Sequence, residues 1–286
     1  ADRLRDADRK SGRWTLDFRL DTPHLRIYSA VPPGLARRMA ATLESEIAAY
    51  HRLYGKALAL RQSPKPFTVF LFADRATYFN TVKDYGVPEP DDRTPGCYNA
   101  RTQILYVGHG GEAFPRQSPD EMVINAVHEM GHAMDHLLAE RVFGMPVWAA
   151  EGRAEYLAYA IAGRQVLPGT LRRRTTNAGI RLLQESLPTL SLAALMNARD
   201  FEGGEKTRQY ATSWAWVHFL LHAEQGRYAP GFKRYLSGLP GKGTVSAFEQ
   251  EVGRLSDLEP RFKRYVEEVF VPGIRSYPDE GGQPNK

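Results

Sequence analysis

Apolar residues return every three or four positions from Leu35 to Tyr54, at Leu35, Met39, Leu43, Ile47, Tyr50 and Tyr54. That period marks an amphipathic helix, and Pro32 and Pro33 stand at its start, where a missing N–H costs nothing. Leu25–Ser29 alternates with period two, and Phe67–Phe72 is a nearly continuous apolar run between Pro66 and Asp74. Both are predicted strands, the second one buried. Asp74 is placed to cap a short helix through Tyr85. Cys97–Ala100 and Gln103–Val107, joined by a short polar turn, predict a hairpin ended by Gly108, Gly110 and Gly111.

Ser118-Pro119-Asp120-Glu121 holds the parts of a helix start: a capping hydroxyl, Pro at the first helical position, and acids in the first turn. This helix is expected to run to about Arg141, with Gly144 and Pro146 breaking it, and a second from about Val147 to Ile161. Beyond Gly163 the pattern stays helical, near Leu192–Asn197, Thr207–His222, Tyr228–Leu236, Val245–Val252 and Leu258–Phe270. Strands come early and helices late, which predicts an α+β chain: a small N-terminal mixed sheet with helices, then a mainly helical C-terminal part. The expected organisation is a flexible charged leader over 1–14, a catalytic subdomain over 15–162, a helical subdomain over 163–271 and a Gly/Pro-rich flexible tail over 272–286.

Composition narrows the class. With 286 residues, 42% of them apolar and 25% charged, the chain can bury a sizeable core, and a single cysteine, Cys97, excludes a disulfide framework. No apolar run approaches the roughly 18 residues of a membrane-spanning helix. The net charge of +5 is scattered, and its densest run is Arg172, Arg173 and Arg174, with Arg181 nearby. Such a run reads as a solvated loop or helix face, so no nucleic-acid partner is expected. The sequence opens on Ala1 with charged residues and no apolar leader core. The expectation is an exported protein, periplasmic or secreted, whose leader has been removed or trimmed away.

The candidate chemistry sits in His128-Glu129-Met130-Gly131-His132. Histidines at i and i+4 on a helix share one face, so both imidazoles reach one metal ion, while the intervening Glu129 can take a proton from metal-bound water. Val123, Val127, Met130, Met134, Leu137 and Leu138 form a separate core stripe, and Ile124, Gly131 and Asp135 lie on the histidine face. Gly131 within a helix costs about 1 kcal/mol relative to Ala, which suggests a neighbour packed close to the backbone. Three third ligands compete. His136 lies eight residues from His128, about 12 Å along the axis and too far. The longer pattern with Gly at 135 and His at 138 fails on Asp135 and Leu138. Glu151, on the next predicted helix, can complete a His-His-Glu set with one site left for water.

Between His132 and Glu151 lie 18 residues. HExxH followed at that spacing by Glu resembles the gluzincin zinc metallopeptidases, in particular their aminopeptidase branch. Trp148 to Tyr156 is similar to the Trp-x-x-Glu-Gly-x-Ala-x-aromatic signature of that clan, and looks most like the peptidase MA-like domains of bacteria. The resemblance covers about Ser118–Tyr156. It implies Zn²⁺ held by His128, His132 and Glu151, with the two active-site helices beneath a small sheet. It also implies Glu155 in the shell behind the ligands, and a downstream oxyanion donor for which Tyr210 is the candidate. The aminopeptidases carry Gly-x-Met-Glu-Asn before HExxH. Here Gly108-His109-Gly110-Gly111-Glu112 stands near that place, so specificity for an amino terminus is not implied. An extended peptide is instead expected to pair with the strand Gln103–Val107.

The expected activity is hydrolysis of a peptide or protein substrate, with Glu129 as general base and Tyr210 as oxyanion donor. Two rivals stand beside it. One is a zinc hydrolase of another amide or a glycopeptide. The other is a degenerate domain that binds zinc and serves in recognition or as a scaffold. His218 and His222 repeat the i, i+4 spacing without a glutamate after the first histidine, and are expected to be packed or surface residues.

Overall fold

The computed structural model describes residues 15–85, 95–108, 118–139, 145–170, 173–201, 205–239 and 243–270, with the side chains of 173–179 excepted. The fold is α+β, with a five-stranded mixed sheet in the N-terminal part and a mostly helical C-terminal part. The chain forms two compact units, Ala1–Val142 with Ile161–Pro168, and Phe143–Ala160 with Gly169–Lys286.

The first unit is built on strands β1 (Phe18–Asp21), β2 (Leu25–Ser29), β3 (Phe67–Leu71), β4 (Gly96–Asn99) and β5 (Ile104–Val107), in spatial order β1-β2-β3-β5-β4. The central pairs β2/β3 and β3/β5 are parallel, and the outer pairs are antiparallel. Helix α1 (Pro33–Tyr54) makes the crossover from β2 to β3. Tyr28, Phe70 and Tyr106 stand opposite one another in register. With α2 (Arg75–Asp84), which brings Tyr78 and Val82, they form an aromatic core on that face. Asp74 caps α2 as expected, accepting from Thr77 N at 2.8 Å.

Helix α3 (Pro119–Leu138) begins with a full capping box: Ser118 accepts from the Glu121 amide, and Glu121 accepts from the Ser118 amide at 2.6 Å. Such a box satisfies two backbone donors that the first turn would otherwise leave bare. Helix α3 packs on α1 and on strands β4 and β5. Arg38 donates to Asp120, and Tyr50 donates to Asp135. These two links, one near the start of each helix and one further along, set α1 and α3 parallel. Val123, Val127, Met130, Met134 and Leu138 are buried as the stripe predicts, while Leu137 is only half-buried.

The structure departs from the sequence expectations in several places. Helix α3 ends at Leu138, and Arg141 lies outside the described residues. Helix α4 (Val147–Ala158) stops three residues short of Ile161. Ile161–Ala162 (β6) instead pairs with Gln165–Val166 (β7), because Gly163, at φ +63°, supplies the left-handed corner of a two-residue turn. Strand β1 has no counterpart among the expected elements, and helix α5 (Arg173–Ser186) falls in the stretch expected to be helical but outside its named segments. Strand β5 lies inside the sheet between β3 and β4, so no peptide can pair with Gln103–Val107. The edges are β1 and β4. The leader 1–14, the tail from 272, Arg172, and the stretch His109-Gly110-Gly111-Glu112 lie outside the described residues.

The second unit packs α4 against α7 (Lys206–Gly226), with α6 (Leu192–Asn197), α8 (Ala229–Ser237), α9 (Val245–Glu251) and α10 (Leu255–Tyr265) around them. Gly152 is the crossing point: a Cβ there would lie 2.5 Å from the Ser213 carbonyl oxygen of α7. Trp148 anchors the start of α4, stacked on Tyr235 at 6.2 Å and edge-on to Phe248 at 5.9 Å. Backbone angles leave the helical region at Ala223–Gln225, so the regular part of α7 ends near His222. No helix among the described residues is long and apolar enough to cross a membrane.

Candidate metal centre

His128 and His132 sit one turn apart on α3, and the capping box and buried stripe of that helix fix their face. Both rings are half-buried, with centroids 4.9 Å apart and planes inclined at 75°. Their Nε2 atoms approach to 3.1 Å, so the two rings turn the same nitrogen towards one point. Glu151, on α4, is also half-buried. His128, His132 and Glu151 each offer one ligand atom, all within 4.8 Å of one another. Ligands at about 2.1 Å around a tetrahedral ion stand about 3.4 Å apart. The 3.1 Å between the imidazole nitrogens is close to that spacing. Two imidazoles and a carboxylate are the donor types zinc takes in an open, catalytic site. The donor set therefore fits Zn²⁺.

Glu129, beside the first histidine, has its own support. Its Oε2 accepts from the backbone N–H of Tyr98 at 2.8 Å. Strand β4 is a sheet edge, so an outward amide there has no strand partner and is available to a carboxylate. Gly96 lies against this carboxylate, where a Cβ would stand in ordinary contact with Glu129 Cγ, at 3.5 Å. The Glu129 charge is felt nearby. Burial first, and then Glu129, push the Cys97 thiol up to about 12. At neutral pH Cys97 is therefore a protonated thiol.

The remaining candidates are placed as follows. Glu155 lies one turn beyond Glu151 and hydrogen-bonds the Tyr159 side chain; burial, and after it the Glu155 charge and this bond, raise that phenol. Tyr210 is half-buried in the first turns of α7, with its ring edge-on to Phe201 at 5.3 Å. His136 is exposed, and its Nδ1 lies 2.8 Å from the Tyr98 hydroxyl. Gly131 is buried within α3. His218 and His222 are packed among aromatic rings.

Two residues near the centre escaped sequence reasoning. Tyr98 contributes only its amide, which no residue type reveals. Glu46 did leave a signal: it is an acid on the apolar stripe of α1, three residues after Leu43 and four before Tyr50, and it is fully buried. Compared with known proteins, the chain matches no family model, and no curated protein is similar to it.

Proposed function

We propose that this protein is a zinc-dependent metallopeptidase that hydrolyses peptide bonds of a peptide or protein substrate. The observation that carries the reading is the meeting of three ligand atoms, from His128, His132 and Glu151, with Glu129 held alongside by the Tyr98 amide. Bound to these residues, Zn²⁺ would supply Lewis acidity and lower the pKa of water towards neutrality.

The chain's own groups do the rest. Glu129 accepts the proton of the attacking water and later returns it to the leaving amine. The Tyr98 amide holds one Glu129 oxygen in place. Tyr210 is proposed to donate to the oxyanion.

The test is digestion of an unstructured protein by the purified chain, before and after zinc is stripped with a chelator and then restored. The reading predicts cleavage that disappears with the metal and returns with zinc. A zinc-loaded protein that cleaves no peptide bond in such substrates would contradict it, and would leave the rival of a zinc-binding recognition module.

A further inference from the structure

Glu46 is the outlier of the first unit. It is 0% exposed in the middle of α1, and neither carboxyl oxygen meets a hydrogen-bond donor. Burying a carboxyl without a hydrogen-bond partner disfavours the folded state. Leu or Met would fill the same stripe without that cost, so packing does not account for the acid.

The register of the two parallel helices shows what Glu46 faces. Arg38 on α1 meets Asp120 on α3, an offset of 82 residues, and Tyr50 meets Asp135, an offset of 85. The same offset brings Glu46 level with His128. The electrostatics agree: burial pushes the Glu46 carboxyl well up, and the one charge that opposes this is His128. On the His128 ring, Nε2 points to His132, so the buried Nδ1 is turned to the other side.

A metal-binding imidazole must keep one nitrogen bare for the ion and hold its proton on the other. An acceptor behind that proton fixes both tautomer and ring orientation. We propose that Glu46 is a positioning residue for the metal centre, its carboxyl turning to accept the Nδ1 proton of His128. The inference rests on the zinc reading above. It assigns the cost of the buried acid to a role in the loaded protein, since the acid does nothing for the fold alone.

Zinc affinity by chelator competition, together with the melting temperature of the metal-free protein, tests this in the full chain with Glu46→Leu and Glu46→Gln. Glu46→Leu is expected to bind zinc about 10- to 100-fold more weakly. Its metal-free melting temperature should equal or exceed that of the wild type, because an unpartnered buried carboxyl has gone. Glu46→Gln keeps the volume and an acceptor oxygen, so its loss of affinity should be smaller, and it carries the test if the leucine variant does not fold. A residue that merely packs would give a lower melting temperature with unchanged zinc affinity, and that result overturns the proposal. A wild-type protein that binds no zinc overturns the metal reading itself, whatever the Glu46 variants do.

Discussion

Two helices of this protein carry histidines four residues apart, and the two pairs have opposite characters. On α3, His128 and His132 bring their Nε2 atoms to 3.1 Å of each other, and Glu129 follows the first histidine. On α7, His218 and His222 have rings 4.6 Å apart, but their nitrogens are engaged by phenols. His218 Nδ1 lies 3.0 Å from the Tyr265 hydroxyl, and His222 Nε2 lies 2.5 Å from that of Tyr156. Phe219 stands where α3 has Glu129. The backbone of Gly169 closes on the His222 ring, leaving 2.9 Å for a Cβ. Burial holds His218 down at about 3, with the charge of His222 adding to the effect. Helical spacing alone therefore does not make a metal site. The nitrogens must converge, a carboxylate must join them, and the rings must not be spent on neighbouring hydroxyls.

The largest expected effect separates the residues that follow the first histidines. Glu129→Gln should keep zinc and lower kcat by about 10²- to 10⁴-fold, since an amide cannot take the proton. Phe219 has no such role, and His218→Phe beside it should leave peptide hydrolysis within about twofold of wild type. If Glu129→Gln turned over normally, the distinction between the pairs would collapse.

Next in size is the oxyanion donor. Tyr210→Phe should lower kcat by about 100-fold with KM nearly unchanged, because the bond is made only in the transition state. Should the rate hold, Tyr210 returns to its packing role against Phe201, and the donor lies elsewhere.

Smaller effects concern the framework. Gly152→Ala pushes a Cβ to 2.5 Å from the Ser213 carbonyl, so α4 and α7 must move apart. A loss of about 1–3 kcal/mol in urea unfolding is expected. An unchanged midpoint would mean that the crossing of α4 and α7 is looser than described.

The smallest effect is a pH slope. His218 is buried neutral, with its value lowered from 6.5 to about 3, so between these values the unfolded chain binds the extra proton. Its contribution to stability is complete above pH 6.5 and is lost as the pH falls towards 3, at up to about 1.4 kcal/mol per pH unit. Unfolding free energies of wild type and His218→Phe, compared at pH 7 and pH 5, should differ in slope by part of this amount. Parallel slopes would show that His218 is not buried as a neutral ring.

Legibility from sequence followed the range of the interactions. The start of α3 is written in four consecutive residues, and the structure has the full capping box there. The amphipathic period of α1 and the apolar run of β3 are equally local, and both elements form within a residue or two of expectation. Elements fixed by distant pairing were harder. Strands β6 and β7 have two residues each, too short for any period, and exist because they pair across Gly163. The interior place of β5 depends on which strand reaches it from elsewhere in the chain. At the candidate site, His128, Glu129, His132 and Glu151 were named from spacing and resemblance. The Tyr98 amide needs the sheet edge to be known, and the register of Glu46 with His128 appears only once α1 and α3 are seen to run parallel.

Zinc stoichiometry, measured by elemental analysis on three purified proteins after exposure to zinc and removal of excess, tests the central claim most directly. The wild type and the His218→Phe/His222→Phe variant should each hold about one equivalent, and the His128→Ala/His132→Ala variant should hold less than about a tenth. A wild-type protein without zinc, or zinc that survives loss of the α3 pair and vanishes with the α7 pair, would contradict the account.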